Sequence, residues 1–253
     1  MVNRQGEHAS FFKTLEDVKE YLHPGGVKFY LLEAEPLLKE HYKIDNPNLK
    51  AKMMMAIISV MYLCGSRVCE IPEIKMNHLR VFKENNIWYL RMKTKNGKNP
   101  RRHSKVITVS YSTPHDRTFI KKVTAWFKWV YNYHDFEEIT GYTYKEALLG
   151  KYKSDEDKVK SISLLNEKYL FSHDIANNRI MSTSAIQKPI QSTLKCNTHF
   201  IRKLRASMLV DYFGANPRQI QEYLGHADTS SAAVYLALSQ RNLKELVSNK
   251  DFV

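Results

Sequence analysis

Residues 79–110, LRVFKENNIWYLRMKTKNGKNPRRHSKVITVS, decide the fold. Leu79 to Lys83, Ile87 to Lys93 and Lys105 to Ser110 alternate or cluster strand-forming residues, and Asn85-Asn86 and Asn96-Gly97 between them are turn signals. They predict a small three-stranded antiparallel meander. Everything around it reads as helix. Upstream, Leu15 to Leu22 is a short amphipathic stretch broken by Pro24-Gly25-Gly26, and Val27 to Tyr42 returns to helical periodicity apart from Pro36. Asn46-Pro47 offers a cap with proline in the first turn, so a long helix is expected from there to Leu63, ended by Gly65. A short helix is expected near Arg67, because Pro72 fits only a first turn. Downstream, Arg117 to Tyr133 carries Phe119, Val123, Trp126, Phe127 and Val130 at helix spacing, a core stripe. Tyr142 to Leu165 is lysine-rich and reads as a solvated helix and loop insert. Thr183 to Leu194, Thr198 to Phe213, Pro217 to Leu224, Ser230 to Leu238 and Arg241 to Val247 complete a mainly α chain with one small sheet, an α+β class. No internal repeat, low-complexity tract or composition break marks a second domain.

The chain has 253 residues, enough for a substantial hydrophobic core in one large domain or two small ones. Lys plus Arg number 39 against 26 Asp plus Glu, a formal charge of +13 that points to a polyanionic partner, nucleic acid first. Cys64, Cys69 and Cys196 form a sparse, odd set, which fits a reducing compartment and argues against a disulfide scaffold. Met1 to Ser10 is polar and shows no signal peptide, and the apolar run Met53 to Gly65 falls far short of the ~20 residues a membrane helix needs. That run is expected as a buried core helix. The expected location is intracellular, in the cytoplasm or at the nucleoid, without a membrane partner.

The residues that can carry chemistry converge on phosphorus. His199 and Arg202 stand three apart on a helix that Thr198 can cap, so they share a face and can address one ligand. Gly65-Ser66-Arg67-Val68-Cys69-Glu70 places a second arginine just past a buried helix, at a turn that holds it rigidly. Two guanidiniums, Arg67 and Arg202, can clamp the non-bridging oxygens of a phosphodiester as charge builds there. Glu70, three residues on, either orients Arg67 or forms an ordinary surface pair.

The hairpin Arg91 to Lys98 crowds ammonium groups at a tight turn. They serve as backbone-phosphate contacts, or one of them is a general acid for a leaving hydroxyl. Lys95, Lys98, Arg101, Arg102 and Lys203 are the candidates for phosphate contacts. Leu224-Gly225-His226 is followed nine residues later by Tyr235, in a helix-like stretch. A phenol has a free pKa near ~10, so as a nucleophile it needs a neighbouring base or hydrogen-bond partner. Two other readings compete. Asn216 to Tyr235 resembles a helix-turn-helix, and Cys196-x-x-His199 with Cys64-x4-Cys69 suggests zinc, although no second compact pair follows Cys196. No metal and no cofactor is expected.

Taken in order, Arg67, a hairpin lysine, His199-x-x-Arg202, Leu224-Gly225-His226 and Tyr235 resemble the catalytic series of the tyrosine recombinase, or phage integrase, family, over Leu15 to about Val247. The resemblance implies the catalytic-domain fold of that family over residues 14–239, after a tail at 1–13. It implies a site-specific recombinase that cleaves and rejoins double-stranded DNA through a 3′-phosphotyrosine link, without ATP or metal. Tyr235 would be the nucleophile, Arg67 and Arg202 would hold the phosphate, and His199 and His226 would complete hydrogen bonding and proton handling. Lys93 would be the general acid, because it ends the strand Ile87 to Met92, with Lys95 as runner-up. Residues 240–253 would pack onto a neighbouring protomer, the working species being a homo-oligomer, a tetramer, on DNA. A type IB topoisomerase has similar chemistry, and a non-catalytic basic DNA-binding protein could keep the same fold.

The family usually carries a helical core-binding domain ahead of the catalytic one. Here Thr14-Leu15-Glu16-Asp17-Val18 already looks like the start of the catalytic domain, so the chain reads as a fragment or a minimal recombinase. Weak and strongly salt-dependent DNA binding is the expectation.

Overall fold

A computed structural model describes residue 28 and residues 30–43, 46–94 and 105–225. Its helices are α1 (Ala34–His41), α2 (Pro47–Cys64), α3 (Pro114–Tyr133), α4 (Phe136–Thr140), α5 (Tyr144–Leu149), α6 (Asp155–Glu167), α7 (Thr183–Leu194), α8 (Thr198–Asp211) and α9 (Pro217–Leu224). The strands are β1 (Leu79–Glu84), β2 (Ile87–Thr94), β3 (Lys105–Ser110), β4 (Ser172–Asp174) and β5 (Arg179–Ile180). The expected mainly α fold with a three-stranded antiparallel sheet is what forms. Leu15 to Leu22, the Asn96-Gly97 turn, Ser230 to Leu238 and Arg241 to Val247 lie outside the described residues.

Helix α2 is the axis of the molecule. Met53 to Cys64 are all buried, so the helix is covered on every side. It packs against α1, α3 and α8. This is the reason its apolar run has no polar face. Among the described residues no helix is long and apolar enough to cross a membrane. Asn46 does precede the helix, but its backbone is left-handed (φ 56°) and its side chain makes no cap bond. Side-chain capping requires an extended N-cap residue, so only the Asn46 carbonyl serves here, accepting from Leu49 and Lys50 at 3.0 and 3.2 Å. Pro36 is tolerated because it falls in the first turn of α1, after the chain turns at Glu33.

The sheet runs β1-β2-β3, with Leu79 opposite Met92 and Met92 opposite Ile107. Asn85 and Asn86 both adopt positive φ, the geometry a two-residue hairpin turn requires. Leu79, Leu90, Met92, Ile107 and Val109 face the helices and are buried. On α3 the expected stripe is buried throughout, and Trp126 donates its indole N–H to the Leu170 carbonyl at 2.8 Å. The polar stretch 142–165 resolves into α5, closed by a Thr143–Glu146 capping box, and α6, which buries only Ser161 and Leu165. The hairpin β4-β5 has no counterpart in the sequence reading, since strands of three and two residues carry no usable periodicity.

Candidate active site

The C-terminal end of α2 gathers the candidate residues. A helix leaves its last carbonyls without intrahelical partners, and they carry the negative end of the helix dipole. Here three successive ones are met by side chains from elsewhere. The Leu63 carbonyl accepts from the Tyr223 hydroxyl, the Cys64 carbonyl from Lys105 Nζ at 2.5 Å, and the Gly65 carbonyl from the Arg202 guanidinium. Arg202 also donates to the Leu224 carbonyl at 2.7 Å, which ties α8 to α2 and to the end of α9. Gly65 makes this junction possible. Its φ is 54°, and a Cβ there would stand 2.6 Å from a methyl carbon of Leu224.

Arg67 follows in extended conformation (φ −76°, ψ 152°) and starts the 3-10 turn Val68–Glu70. Its guanidinium meets Glu70 at 3.1 Å, and its amide donates to the other oxygen of the same carboxylate at 3.1 Å. The expected short helix is thus a single turn, with Glu70 buried and holding Arg67 at both backbone and side chain.

Helix α8 begins one residue earlier than expected in its capping. Asn197 is the N-cap, its side chain accepting from the Phe200 amide at 2.9 Å, and Thr198 is a buried residue inside the first turn. Asparagine with an extended backbone is a strong cap, so it takes the place the sequence reading assigned to threonine. His199 is exposed on that turn while Arg202 is fully buried one turn later. Lys203 is exposed on the same helix.

Lys93 lies on the other side of the sheet. Side chains alternate along a strand, and Met92 and Thr94 point inward, so Lys93 points outward beside Val106, itself 52% exposed. Its neighbours on that face are Arg91, stacked over the Phe82 ring at 4.7 Å, and Tyr89. The site therefore brings together Arg67, Glu70 and Arg202 and leaves Lys93 on the far face. Lys95, Lys98, Arg101, Arg102, His226 and Tyr235 lie outside the described residues.

Four residues near the arginines, Lys105, Arg205, Asp116 and Tyr223, are not among the expected site residues. Lys105 opens β3 on the inner face, opposite Thr94, and is buried. Burial pushes its ammonium down to about 8, with Arg202 and Arg67 acting the same way and Cys64 and Glu70 opposing them. The Cys64 thiol is pushed up to about 12 by its own burial, so Lys105 has a carbonyl rather than a thiolate as its partner. Arg205, one turn after Arg202, makes a buried two-pronged pair with Asp116 of α3 at 2.8 and 3.1 Å and donates to the Tyr223 hydroxyl at 3.2 Å. Desolvation raises Tyr223 to about 12, so it stays a neutral hydroxyl and donor. A partial signal for Lys105 was present: it shares the parity of Ile107 and Val109, the two buried apolar positions of β3, although Val106 on the other parity is apolar as well. Nothing local marks the Asp116–Arg205 pair.

No cluster of three or more His, Cys, Asp or Glu residues placed to hold a metal occurs among the described residues, and Cys64, Cys69 and Cys196 are free thiols. A cavity of about 720 Å³ opens near the N-terminal end of α2, lined by Lys50, Trp126, Trp129 and Tyr133 among others. None of the candidate residues lines it.

A model of the phage integrase family matches residues 33–242. The chain belongs to that family. Among solved structures it is similar to the XerH site-specific recombinase, in a post-cleavage complex with a palindromic difH substrate. The TM-score is 0.53 at 16% identity, over 91% of this chain and 52% of the other. The chain thus spans about half the length of that protein, and the likeness is one of fold. No curated protein matches the chain.

Proposed function

We propose that this protein is a site-specific DNA recombinase that cleaves and rejoins double-stranded DNA through a 3′-phosphotyrosine intermediate. One observation carries the reading: in a chain of the phage integrase family, Arg67 and Arg202 are both fixed at the C-terminal end of α2, by Glu70 and by the Gly65 and Leu224 carbonyls. Guanidiniums locked before substrate arrives stabilise a pentavalent phosphorus without reorganising as charge develops.

In this reading the Tyr235 oxygen attacks the scissile phosphorus, its proton passing to His199 or His226. The P–O3′ bond of the target stays intact, the P–O5′ bond breaks, and a 5′-hydroxyl leaves with a proton from a general acid. The phosphotyrosyl ester keeps the energy of the broken bond, so attack by another 5′-hydroxyl rejoins DNA without ATP or metal. The +13 charge supplies the attraction to the backbone, with Lys203, Lys95, Lys98, Arg101 and Arg102 as contacts. The working species is a multimer on paired sites inside the cell, with residues 240–253 reaching a neighbouring protomer.

The test uses the full chain and a pool of nicked duplexes with randomised arms around the nick, where loss of the short 5′ fragment traps cleavage. Wild type is expected to form a covalent protein–DNA adduct at the 3′ side, and Tyr235→Phe none. Adducts that persist in Tyr235→Phe assign the nucleophile elsewhere; none in wild type leaves a non-catalytic DNA-binding protein. A two-site exchange assay on the recovered sequence then separates strand exchange from relaxation alone.

A further inference from the structure

We infer that Tyr223, held by the Asp116–Arg205 pair, is a positioning residue that sets where the Arg202 guanidinium stands against the scissile phosphate, an assignment that rests on the recombinase reading above. Arg202 leaves α8 and is held across a gap, with one nitrogen on the Gly65 carbonyl at the end of α2 and another on the Leu224 carbonyl at the end of α9. The width of that gap decides where the guanidinium stands. Tyr223, the neighbour of Leu224, crosses the same gap: its hydroxyl donates to the carbonyl of Leu63, among the last of α2, which have no partner within the helix. Two bridges thus join the same pair of helix ends, and the phenol fixes the spacing that the guanidinium spans.

The hydroxyl is itself oriented. Arg205 Nε donates to the Tyr223 oxygen at 3.2 Å, and a guanidinium has no acceptor, so the phenolic proton turns to the Leu63 carbonyl. The other two nitrogens of Arg205 donate to the two oxygens of Asp116 at 2.8 and 3.1 Å. A single chain of bonds therefore runs from Asp116 of α3 through Arg205 of α8 and Tyr223 of α9 to Leu63 of α2. Asp116 and Arg205 are both buried, which leaves little water to compete for the pair at its head. Desolvation pushes the Tyr223 phenol up to about 12, so it keeps its proton, and with it the bridge, through the neutral range. A guanidinium displaced slightly by loss of the bridge stabilises the transition state less yet still attracts DNA, because affinity sums over many phosphates and rate depends on one.

Whether Tyr223 acts through Arg202 is read from a double-mutant cycle in rate. On the duplex recovered above, Tyr223→Phe keeps the ring and loses the bridge; it is expected to slow single-turnover cleavage by roughly 10-fold or more while the dissociation constant from fluorescence anisotropy stays that of wild type. Arg205→Lys keeps the charge beside Asp116 but not the fork that also reaches the phenol, and it is expected to slow cleavage likewise. It covers the case in which Tyr223→Phe does not fold. In an Arg202→Lys background, where the guanidinium to be placed is gone, neither substitution is expected to slow cleavage much further. A purely stabilising role would instead slow both backgrounds by the same factor, in step with the fall in urea midpoint. Equal slowing in the two backgrounds, a wild-type rate in both Tyr223→Phe and Arg205→Lys, or weaker DNA binding that accounts for the loss overturns the assignment alone, provided that wild type forms its adduct. A wild type that forms none overturns the recombinase reading, and this inference with it.

Discussion

Arg202 bridges two main-chain carbonyls from different elements, Gly65 and Leu224, with two separate nitrogens of one rigid planar fork, a spacing that the single nitrogen of lysine does not reproduce. Arg202→Lys should therefore lower single-turnover cleavage by roughly 10²-fold or more even though charge is kept, as for removal of one preorganised donor to a transition state. Titration of Lys105 gives a second test at this scale. Its folded value lies below the unfolded one of 10.5, so its burial costs stability in full below about 8, and the cost is relieved as pH climbs toward 10.5. Urea midpoints of the wild type measured from about pH 7 to 10 should therefore rise relative to those of Lys105→Met. Arg67, Arg202 and Glu70 were legible from residue type and order; Lys105 was not, because motif spacing pointed to the hairpin turn. The alternation that places it on the apolar face of β3 was in the sequence throughout.

At the scale of elements, the site depends on how α9 and α8 meet the end of α2. Gly65→Ala should cost about 1–2 kcal/mol for left-handed backbone alone, and more for the contact with Leu224. In a Leu224→Ala background the contact part should vanish, so urea midpoints of the four proteins should show clear coupling; equal costs in both backgrounds would mean the two positions do not touch. The brace between α8 and α3 is the Arg205–Asp116 pair, both groups buried. Asp116→Ala leaves a guanidinium buried without its carboxylate, and stability measured in urea should drop by about 3–5 kcal/mol. A loss below ~1 kcal/mol would mark the pair as dispensable. Because Arg205 stands one turn from Arg202, the same variant should also weaken cleavage.

For the whole molecule, the charge of +13 sets how DNA is held. If the backbone contacts number about six or more, affinity for duplex DNA should fall by roughly 10³-fold or more between about 50 and 200 mM salt, measured by fluorescence anisotropy. A flat salt response would replace the electrostatic account with one of base contacts or shape. The sequence by itself determined the helical class, and the three strands and the course of α2 to within a residue, because each is written in local chemistry: strand-forming runs, turn asparagines, a proline at a helix start, a glycine at its end. Tertiary structure alone decided which cations share the site. Carbonyls at Leu63, Cys64, Gly65 and Leu224 bear no signature in residue type, yet as exposed ends of helices they select Tyr223, Lys105 and Arg202 from distant parts of the chain. A buried cation must find such partners, and folding brings them together.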